Sequence, residues 1–303
     1  MPSKHILKVG TRGSDLALVQ TRIVLDALRR KNKTLFFEQI VIKTSGDDLS
    51  RKKKALSGKD SFTREIDQAL LSGEIDFAVH SLKDVPLDSS KEIAIAAYPK
   101  RESPLDVLVS RRKGSTLETL KFGARIGTSS IRRAIQLKIF RPDYEIVEIH
   151  GNVPTRIRKM RLEGDLDALV LAQAGLNRLD MDKEIDQVIP DKVVLPAIGQ
   201  GCLAITARTK DKRTNNILKT IDHEKTRICV SAERAFSKEL GGGCNTPIAG
   251  LATIKNNEIR LKGLVVGEIG SKFKSNFLIR EEMKGKKPEV LGRALARKLR
   301  ENS

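Results

Sequence analysis

The chain has 303 residues, a length that suggests two domains, or three if one of them is small. Its 39% hydrophobic and 31% charged residues are typical of a globular chain, and its 22 Gly and 10 Pro are too few for a disordered or collagen-like one. Because no uncharged stretch reaches the roughly 20 apolar residues of a membrane span, and residues 1–20 lack the apolar core of a secretory signal, we expect no membrane partner and no export.

The chain contains three cysteines, Cys202, Cys229 and Cys244, which are widely spaced and odd in number. No CxxC pair or Cys/His cluster occurs, so neither a disulfide framework nor a zinc site has its ligands, and we expect no metal. Cysteines with this number and spacing favour a reducing compartment, and we therefore expect a cytoplasmic location.

The net charge is strongly positive, with 57 Lys and Arg against 38 Asp and Glu, which gives +19. Such a charge indicates an anionic partner or a merely basic surface, and nucleic acid is the most familiar anionic partner. Aromatic residues make up only 4% of the chain, too few for platforms on which bases stack. We expect no nucleic-acid partner, although nucleic-acid binding stays a rival interpretation on charge alone.

Up to about residue 200, short β-rich runs alternate with amphipathic helical patterns. Strands are predicted at residues 6–9, 37–42, 77–80, 107–109, 125–127, 145–149 and 168–171. Helices are predicted at residues 14–29, 63–71, 130–140 and 155–162. This alternation is typical of α/β sheets covered by helices.

After about residue 222 the pattern changes to that of a small α+β domain. A helix is predicted at residues 226–240, strands at 248–254, 259–266 and 272–279, and a final helix carries Leu291, Leu295 and Leu299 on one face. The predicted domains are residues 1–99 with 201–221, residues 100–200, and residues 222–303. Because two segments join the first two α/β lobes, we expect them to be hinged around a cleft.

Three turns place small residues and arginines where a strand ends and a helix begins. Their sequences are TRGS at 11–14, GTSSIRR at 127–133 and GNVPTR at 151–156. Helix N-termini beyond the carboxyl ends of strands bind anions, and arginine binds carboxylates or phosphates with paired hydrogen bonds. Since no Walker A or G-x-G-x-x-G sequence is present, these turns favour several carboxylates or phosphates over a nucleotide.

Two further residues have both a structural and a chemical interpretation. Asp84 is either an exposed turn residue paired with Lys83 or a carboxylate that balances a cationic intermediate and moves protons. Cys244 follows three glycines and is either a buried inert thiol or a covalent attachment point. His80 is expected to be a hydrogen-bonded core histidine, and the other two cysteines are expected to be buried and inert.

Taken together, the motifs resemble those of the porphobilinogen deaminase (hydroxymethylbilane synthase) family. They are VGTRGS at 9–14, TSGD at 44–47, HSLKDVP at 80–86, GTSSIRR at 127–133, GNV at 151–153, LPAIGQG at 195–201 and GGCNTP at 242–247. The resemblance runs from about residue 6 to the C-terminus. It implies an α/β fold with two lobes like those of type II periplasmic binding proteins, joined by hinges, plus a small C-terminal α+β domain.

The resemblance also implies a reaction and a cofactor. Four porphobilinogen molecules are joined head to tail with loss of ammonia, and water releases 1-hydroxymethylbilane for tetrapyrrole (haem) biosynthesis. Cys244 matches the cysteine that holds a dipyrromethane cofactor through a thioether, and Asp84 matches the catalytic carboxylate. Phe62 matches an aromatic residue near the substrate, and Gln200 lies in the hinge motif. The positions that match binders of acetate and propionate side chains are Arg12, Ser14, Lys83, Ser129, Arg132, Arg133, Arg156 and Arg178.

The chain departs from the family pattern at two places. His150 replaces the usual arginine before Gly-Asn, and GKDSF at 58–62 replaces GKGLF in the mobile loop, so that Asp60 adds a negative charge. If His150 binds the ligand's carboxylates, it does so only while protonated, and binding weakens as the pH rises through roughly 6.5–8. The alternative is that His150 merely ends a strand.

The resemblance further implies a monomer that binds porphobilinogen and hands its product transiently to uroporphyrinogen-III synthase. From the residues alone, a two-lobed protein that binds an anionic solute without catalysis is the alternative. Such receptors are normally exported, so the missing secretory signal counts against it.

Overall fold

The structure, a computed structural model, describes residues 6–44, 63–88, 90–242, 247–266 and 278–301. Contacts between Cα atoms divide the chain into two compact units, Met1–Arg101 with Cys202–Arg227 and Glu102–Gly201 with Ile228–Ser303. Each unit therefore combines segments that are distant in sequence, because the chain leaves the first unit near residue 101 and returns to it at residue 202.

Short strands and helices alternate along much of the described chain. The strands are β1 (Ile6–Thr11), β2 (Phe36–Val41), β3 (Phe77–Ser81), β4 (Ile93–Ala97), β5 (Asp106–Ser110), β6 (Arg125–Gly127), β7 (Glu145–Val147), β8 (Ala168–Ala172), β9 (Gln187–Ile189), β10 (Leu203–Arg208), β11 (Ile248–Lys255), β12 (Glu258–Val266) and β13 (Leu278–Gly285). The helices are α1 (Asp15–Lys31), α2 (Arg64–Ser72), α3 (Ile131–Phe140), α4 (Val153–Glu163), α5 (Gln173–Arg178), α6 (Lys212–Lys219), α7 (Glu224–Glu239) and α8 (Pro288–Glu301).

The first unit contains a five-stranded sheet with the order β2-β1-β3-β10-β4. β1 is parallel to β2 and β3, whereas β10 is antiparallel to both of its neighbours. Side chains alternate between the faces of a strand. Accordingly, Phe77 and Val79 pack in the same core as residues of α1, and Ala78 packs with residues of α2. Helices thus bury both faces of this sheet.

The second unit contains a sheet with the order β7-β6-β8-β5-β9. β6 is parallel to β7 and β8, and β5 is antiparallel to β8 and β9. Leu108 lies in the core that includes Leu137 of α3, and Val107 and Val109 lie in the core that includes Ile157 of α4. Here too, alternation along a buried strand supplies two separate cores.

The second unit also contains an antiparallel sheet with the order β11-β12-β13. Phe236 of α7, Leu261 of β12 and Leu295 of α8 are fully buried in one core beside this sheet. The predicted apolar face of the last helix is confirmed, because Leu291, Leu295 and Leu299 are all buried.

The two five-stranded sheets share one spatial arrangement of strands. In each, the first parallel strand has the second strand on one side and the third on the other. An antiparallel strand then lies between the third strand and the edge strand, and it is β10, the last strand in sequence, in the first sheet and β5, the first in sequence, in the second. With the three-stranded sheet and its helices, this confirms the predicted α/β fold class with a small C-terminal α+β domain. The predicted division into three domains stays a prediction.

The sequence patterns missed several elements and ended one strand too early. β4, β9, β10, α5 and α6 were not predicted. β10 is buried along almost its whole length, so it lacks the alternation that marks a half-exposed strand. The last strand, predicted at 272–279, is described as Leu278–Gly285, and residues 272–277 of the prediction lie outside the described residues.

Candidate active site

The carboxyl ends of β1 and β3 are neighbours in the first sheet, because the two strands are parallel and paired. The turn after β1 carries Arg12, which is half-buried, and Ser14. The Ser14 hydroxyl accepts the Ala17 N–H at 3.3 Å and caps α1. Gln20 of α1 donates to the Ser81 hydroxyl at 3.0 Å. These bonds fix the Arg12 turn beside the end of β3.

Lys83 and Asp84 lie in a single 3₁₀ turn that follows β3 directly. The Leu82 N–H donates to the Cys202 carbonyl at 2.9 Å, which ties this turn to the start of β10. Both charged side chains are half-buried. The turn therefore places a carboxyl group and an amino group on an anchored backbone, at the same sheet edge as Arg12.

His80, in the middle of this region, is a core residue as expected. It is buried, and its Nε2 lies 3.1 Å from the Thr206 hydroxyl on the neighbouring strand β10. Burial lowers the pKa of His80 to about 4, and the positive charge of Arg12 adds to the effect. His80 is therefore neutral near pH 7 and adds no charge beside Asp84.

Arg132 and Arg133 begin α3 and are both buried, with 7% of each residue exposed. Their common partner is Asp106, the first residue of β5, which is completely buried. Arg132 donates Nη2 to Asp106 Oδ2 at 2.8 Å, and Arg133 donates Nη2 and Nε to Oδ1 at 2.7 and 3.1 Å. Gln200 donates the fourth hydrogen bond to this carboxylate, from Nε2 to Oδ1 at 2.9 Å. We refer to these four residues as the arginine cluster.

The backbone supplies the remaining acceptors of the arginine cluster. Arg132 Nη1 donates to the Leu195 carbonyl at 2.5 Å, and Arg133 Nη1 donates to the Val170 carbonyl at 3.0 Å. Burial acts to raise the pKa of Asp106, but the two guanidinium groups outweigh it and hold that pKa at about 2. Removing one partner from a buried ion pair costs about 3–5 kcal/mol, so the cluster is also a structural element.

The turn after β6 leads into α3 and contacts the segment that follows β7. The Ser129 hydroxyl donates to the Ile149 carbonyl at 2.5 Å, which joins the turn after β6 to the segment after β7. Asn152 caps α4 by accepting the Thr155 N–H at 2.9 Å. Because β6 and β7 are parallel neighbours, both turns lie at the carboxyl edge of the second sheet, as predicted from the sequence.

Arg156 and His150 both lie in the segment that follows β7, but their surroundings differ. Arg156 is half-buried and donates Nε to the Gly151 carbonyl at 2.7 Å. Burial lowers the pKa of Arg156, and repulsion from Arg133 adds to it, which indicates that the two cations are near each other. His150, in contrast, has 66% of its side chain exposed and pairs through Nε2 with Glu148 at 3.0 Å.

Arg178, the last residue of α5, donates Nη2 to the carbonyl of Gly201 at 2.7 Å. Gly201 has φ +82°, and a Cβ there would lie 2.5 Å from the Glu102 carbonyl oxygen. Only glycine fits such a backbone, so a close chain crossing explains the last glycine of the LPAIGQG motif at 195–201. The hydrogen bond from Arg178 stabilises that crossing.

Positive charge exceeds negative charge at the carboxyl edge of the second sheet. Within the described residues, Asp106 is the one carboxylate that contacts Arg132 and Arg133, and Arg156 has no carboxylate partner. Two buried guanidinium groups therefore share one carboxylate, and the half-buried Arg156 adds a third cation near them. Because unbalanced buried charge is costly, this arrangement suits one or more anionic ligand groups.

Two predicted site residues, Phe62 and Cys244, lie outside the described residues. Cys202 and Cys229 are buried, and the Cys202 thiol lies 3.1 Å from the Leu203 carbonyl oxygen. This environment fits the expectation that both are inert core residues.

Sequence reasoning missed Asp106 as a site residue. The available signal was an aspartate at the head of the apolar run Val107–Leu108–Val109, because a carboxylate in a buried strand requires cationic partners. The adjacent arginine pair at 132–133 offered those partners, but only the sheet topology brings the two segments together.

No helix in the described ranges combines the length and the apolar character needed to cross a membrane. In that same part of the chain, no group of three or more His, Cys, Asp or Glu side chains is arranged to hold a metal ion.

Comparison with solved structures gives distant similarities. The chain resembles the methionine binding protein MetQ with a TM-score of 0.45 and 12% identity, over 78% of this chain and 96% of that one. It resembles YhfZ from Shigella flexneri with a TM-score of 0.37 and 17% identity, over 77% of this chain and 90% of that one.

Comparison with protein families and curated proteins is much closer. Residues 7–216 match the model of the porphobilinogen deaminase dipyrromethane cofactor binding domain, and residues 227–301 match that of the porphobilinogen deaminase C-terminal domain. The porphobilinogen deaminase of Brevibacillus brevis is 46% identical over 89% of this chain and 87% of its own length. That of Pelotomaculum thermopropionicum is 43% identical over 98% and 94%. With both models matched in order along almost the whole chain, the protein belongs to the porphobilinogen deaminase family.

Proposed function

We propose that this chain joins four porphobilinogen molecules head to tail, with loss of one ammonia from each, and that one water then releases the product as the linear tetrapyrrole 1-hydroxymethylbilane. The observation that carries the proposal is the excess of guanidinium groups over carboxylates at the carboxyl edge of the second sheet. Each porphobilinogen carries two carboxylates, so a growing oligomer needs several cations. Membership of the family supports this function over solute binding without catalysis.

The family's cofactor is dipyrromethane, and the residues present fit it, because its carboxylate side chains would neutralise the excess charge of the arginine cluster and Arg156. When bound, this group supplies the pyrrole terminus to which the first substrate is added. We assign its attachment to Cys244 through a thioether, since a thiolate is a good nucleophile toward carbon. Arg132, Arg133 and Arg156 then hold its carboxylates.

Asp84 is the proposed catalytic residue. At each addition a C–C bond forms to the aminomethyl carbon of porphobilinogen, the C–N bond to the leaving ammonia breaks, and a pyrrole carbon loses a proton. A carboxylate close to the pyrrole N–H stabilises the positive charge that develops there and can carry the proton. The anchored turn that holds Asp84, with neutral His80 nearby, supports this assignment.

The remaining predicted residues are proposed to bind substrate. Arg12 and Lys83 lie at the same sheet edge as Asp84 and would bind substrate carboxylates there, with Ser14 holding the Arg12 turn. Residues proposed for the other end of the oligomer, or for contact with the pyrrole ring, are Ser129, His150, Arg178 and Phe62.

We also propose three domains, residues 1–99 with 201–221, 100–200 and 222–303, a division supported by the presence of three separate sheets. The protein is proposed to act as a cytoplasmic monomer that passes its product to uroporphyrinogen-III synthase. The odd number and wide spacing of the three cysteines support a reducing compartment.

The test combines turnover with intact mass. Purified protein is incubated with porphobilinogen, and porphobilinogen and ammonia are measured together. We expect one ammonia for each porphobilinogen consumed, and a resting protein heavier than its sequence by covalently bound pyrroles that colour with acidic Ehrlich reagent.

Cysteine variants provide matched controls for this test. Cys244→Ser is expected to purify without the added mass and without turnover, whereas Cys202→Ser and Cys229→Ser keep both. Binding of porphobilinogen without ammonia release would instead favour a solute-binding protein. An adduct that peptide mapping assigns to Cys202 or Cys229 would contradict the role of Cys244.

A further inference from the structure

Arg132 and Arg133 are consecutive residues in the first turn of α3, yet their guanidinium groups meet at one point. Consecutive residues of an α-helix project about 100° apart, so the helix by itself directs the two side chains away from each other. Both reach Asp106, which accepts from Arg132 at Oδ2 and from Arg133 at Oδ1. The carboxylate, and not the helix, brings the two cations together.

Asp106 is itself held rigidly. It is the first residue of β5, where it pairs with Ala172 of β8 on one side and with Ile189 of β9 on the other. It is completely buried, and Gln200 donates a further bond to Oδ1 from the 195–201 segment. A residue whose backbone is paired on two sides therefore sets the position of two side chains on a helix.

The arginine cluster carries a net positive charge that an anionic ligand can balance. Asp106 neutralises one of the two guanidinium groups that it contacts, so the cluster keeps a net positive charge while both groups stay ordered. Ordered cations bind an anion more tightly than mobile ones, because their conformational entropy is lost during folding and not during binding.

We propose that Asp106 is a positioning residue for this protein: it orders Arg132 and Arg133 for the carboxylates of the dipyrromethane group and of the growing oligomer, without touching either. The inference rests on the proposed function and deepens it. It separates a residue that acts through the arginines from residues that contact the ligand.

Two substitutions test the proposal. Asp106→Glu keeps the charge but moves the carboxylate by one methylene, and a displacement of that order in a positioned group can reduce binding or rate severely. We expect it to raise the KM for porphobilinogen at least tenfold, with a smaller change in kcat, and to lower the fraction of protein that carries the pyrrole adduct by intact mass. Asp106→Asn should purify largely without adduct.

Asp186→Asn is the matched control. Asp186 is also a buried carboxylate beside β5, and it accepts the Ser110 N–H at 2.7 Å, the Ser110 hydroxyl at 2.9 Å and the Gly114 N–H at 2.8 Å. It contacts no residue of the arginine cluster. We expect this variant to melt at a lower temperature than wild type but to keep the wild-type KM and adduct content.

The outcomes distinguish this inference from the proposed function on which it rests. If Asp106→Glu melts lower yet keeps the wild-type KM and adduct content, as expected for Asp186→Asn, Asp106 is structural only and the inference is overturned. Asp106→Glu decides this even where Asp106→Asn fails to fold. If wild type itself neither consumes porphobilinogen nor carries an adduct, the proposed function fails instead.

Discussion

The two five-stranded sheets have the same strand order but treat buried ionisable groups in opposite ways. Near the carboxyl edge of the first sheet the buried group is His80, whose pKa is lowered to about 4 by burial and by Arg12, so that it is neutral. At the corresponding edge of the second sheet it is Asp106, which burial would make harder to ionise but which Arg132 and Arg133 keep charged. The buried group is therefore uncharged at the edge of the first sheet and charged at the edge of the second.

The difference suggests a division of tasks between the two sheets. An edge with a neutral histidine leaves Asp84 as the acid of its anchored turn, which suits a reacting carboxylate. An edge with more guanidinium groups than carboxylates suits the holding of anions. Shared topology therefore fixes where the turns occur, while the local residues decide what chemistry each turn performs.

Neutralising the acid of the first sheet should show most clearly whether the two edges differ in task. Asp84→Asn should fold and carry the pyrrole adduct but lose about 10²–10³-fold in kcat, because an amide cannot offset the developing positive charge. The measurement is the initial rate of porphobilinogen consumption by protein of known adduct content. Asp88→Asn, an exposed aspartate four residues further on, serves as the control and should be unaffected. Turnover within twofold of wild type would remove Asp84 from the chemistry.

The second prediction concerns the stability of the first sheet. Since the folded-state pKa of His80 lies near 4, below the ordinary value of 6.5, the unfolded chain binds the proton more readily. Stability should therefore be lost as the pH falls from about 6.5 to about 4, by about 3 kcal/mol. Urea unfolding at several pH values measures this loss.

A substitution isolates the contribution of His80 to that loss. His80→Gln cannot titrate and should show a flatter dependence between pH 6.5 and 4, whereas His223→Gln, which leaves His80 intact, should keep the wild-type slope. Equal slopes for wild type and His80→Gln would show that some other group causes the loss.

The third prediction tests the anion-holding task of the second sheet. Arg156→Leu removes a cation that has no carboxylate partner within the described residues, so it should raise the KM for porphobilinogen about tenfold, or about 1.4 kcal/mol in binding. Its effect on kcat should be smaller, in contrast to Asp84→Asn. Arg158→Leu, on the exposed side of the same helix, is the control. If only kcat fell, Arg156 would act in the reaction step and not in anion binding, and the two sheets would not differ in task.

A weaker effect is expected at His150. A histidine is charged only at the acidic end of the working range, whereas arginine stays charged throughout. If His150 binds substrate, His150→Arg should lower the KM for porphobilinogen a few-fold, because arginine stays charged at any working pH. Because Glu148 pairs with His150 at 3.0 Å, Glu148→Gln is a useful companion variant that removes this pairing. Equal KM values for wild type and His150→Arg would assign His150 to structure.

Several features were predictable from local pattern. The turns after β1, β6 and β7 were predicted as anion-binding positions from small residues and arginines at strand ends, and the structure has each of them at a carboxyl edge. The two buried cysteines and the core position of His80 were predicted as well. These features depend on short stretches whose periodicity and turn chemistry are readable one segment at a time.

The amino-acid sequence alone therefore predicted the fold class, the positions of the turns after β1, β6 and β7 and, through its motifs, the family. The folded structure was needed to show that Asp106 and the two arginines share one buried site, and that His150 pairs with an exposed glutamate. For the arginine cluster the cause is topological, because β5, like β10 in the first sheet, is inserted antiparallel beside strands from distant segments. Partners that meet only through such crossings leave no local periodicity in the sequence.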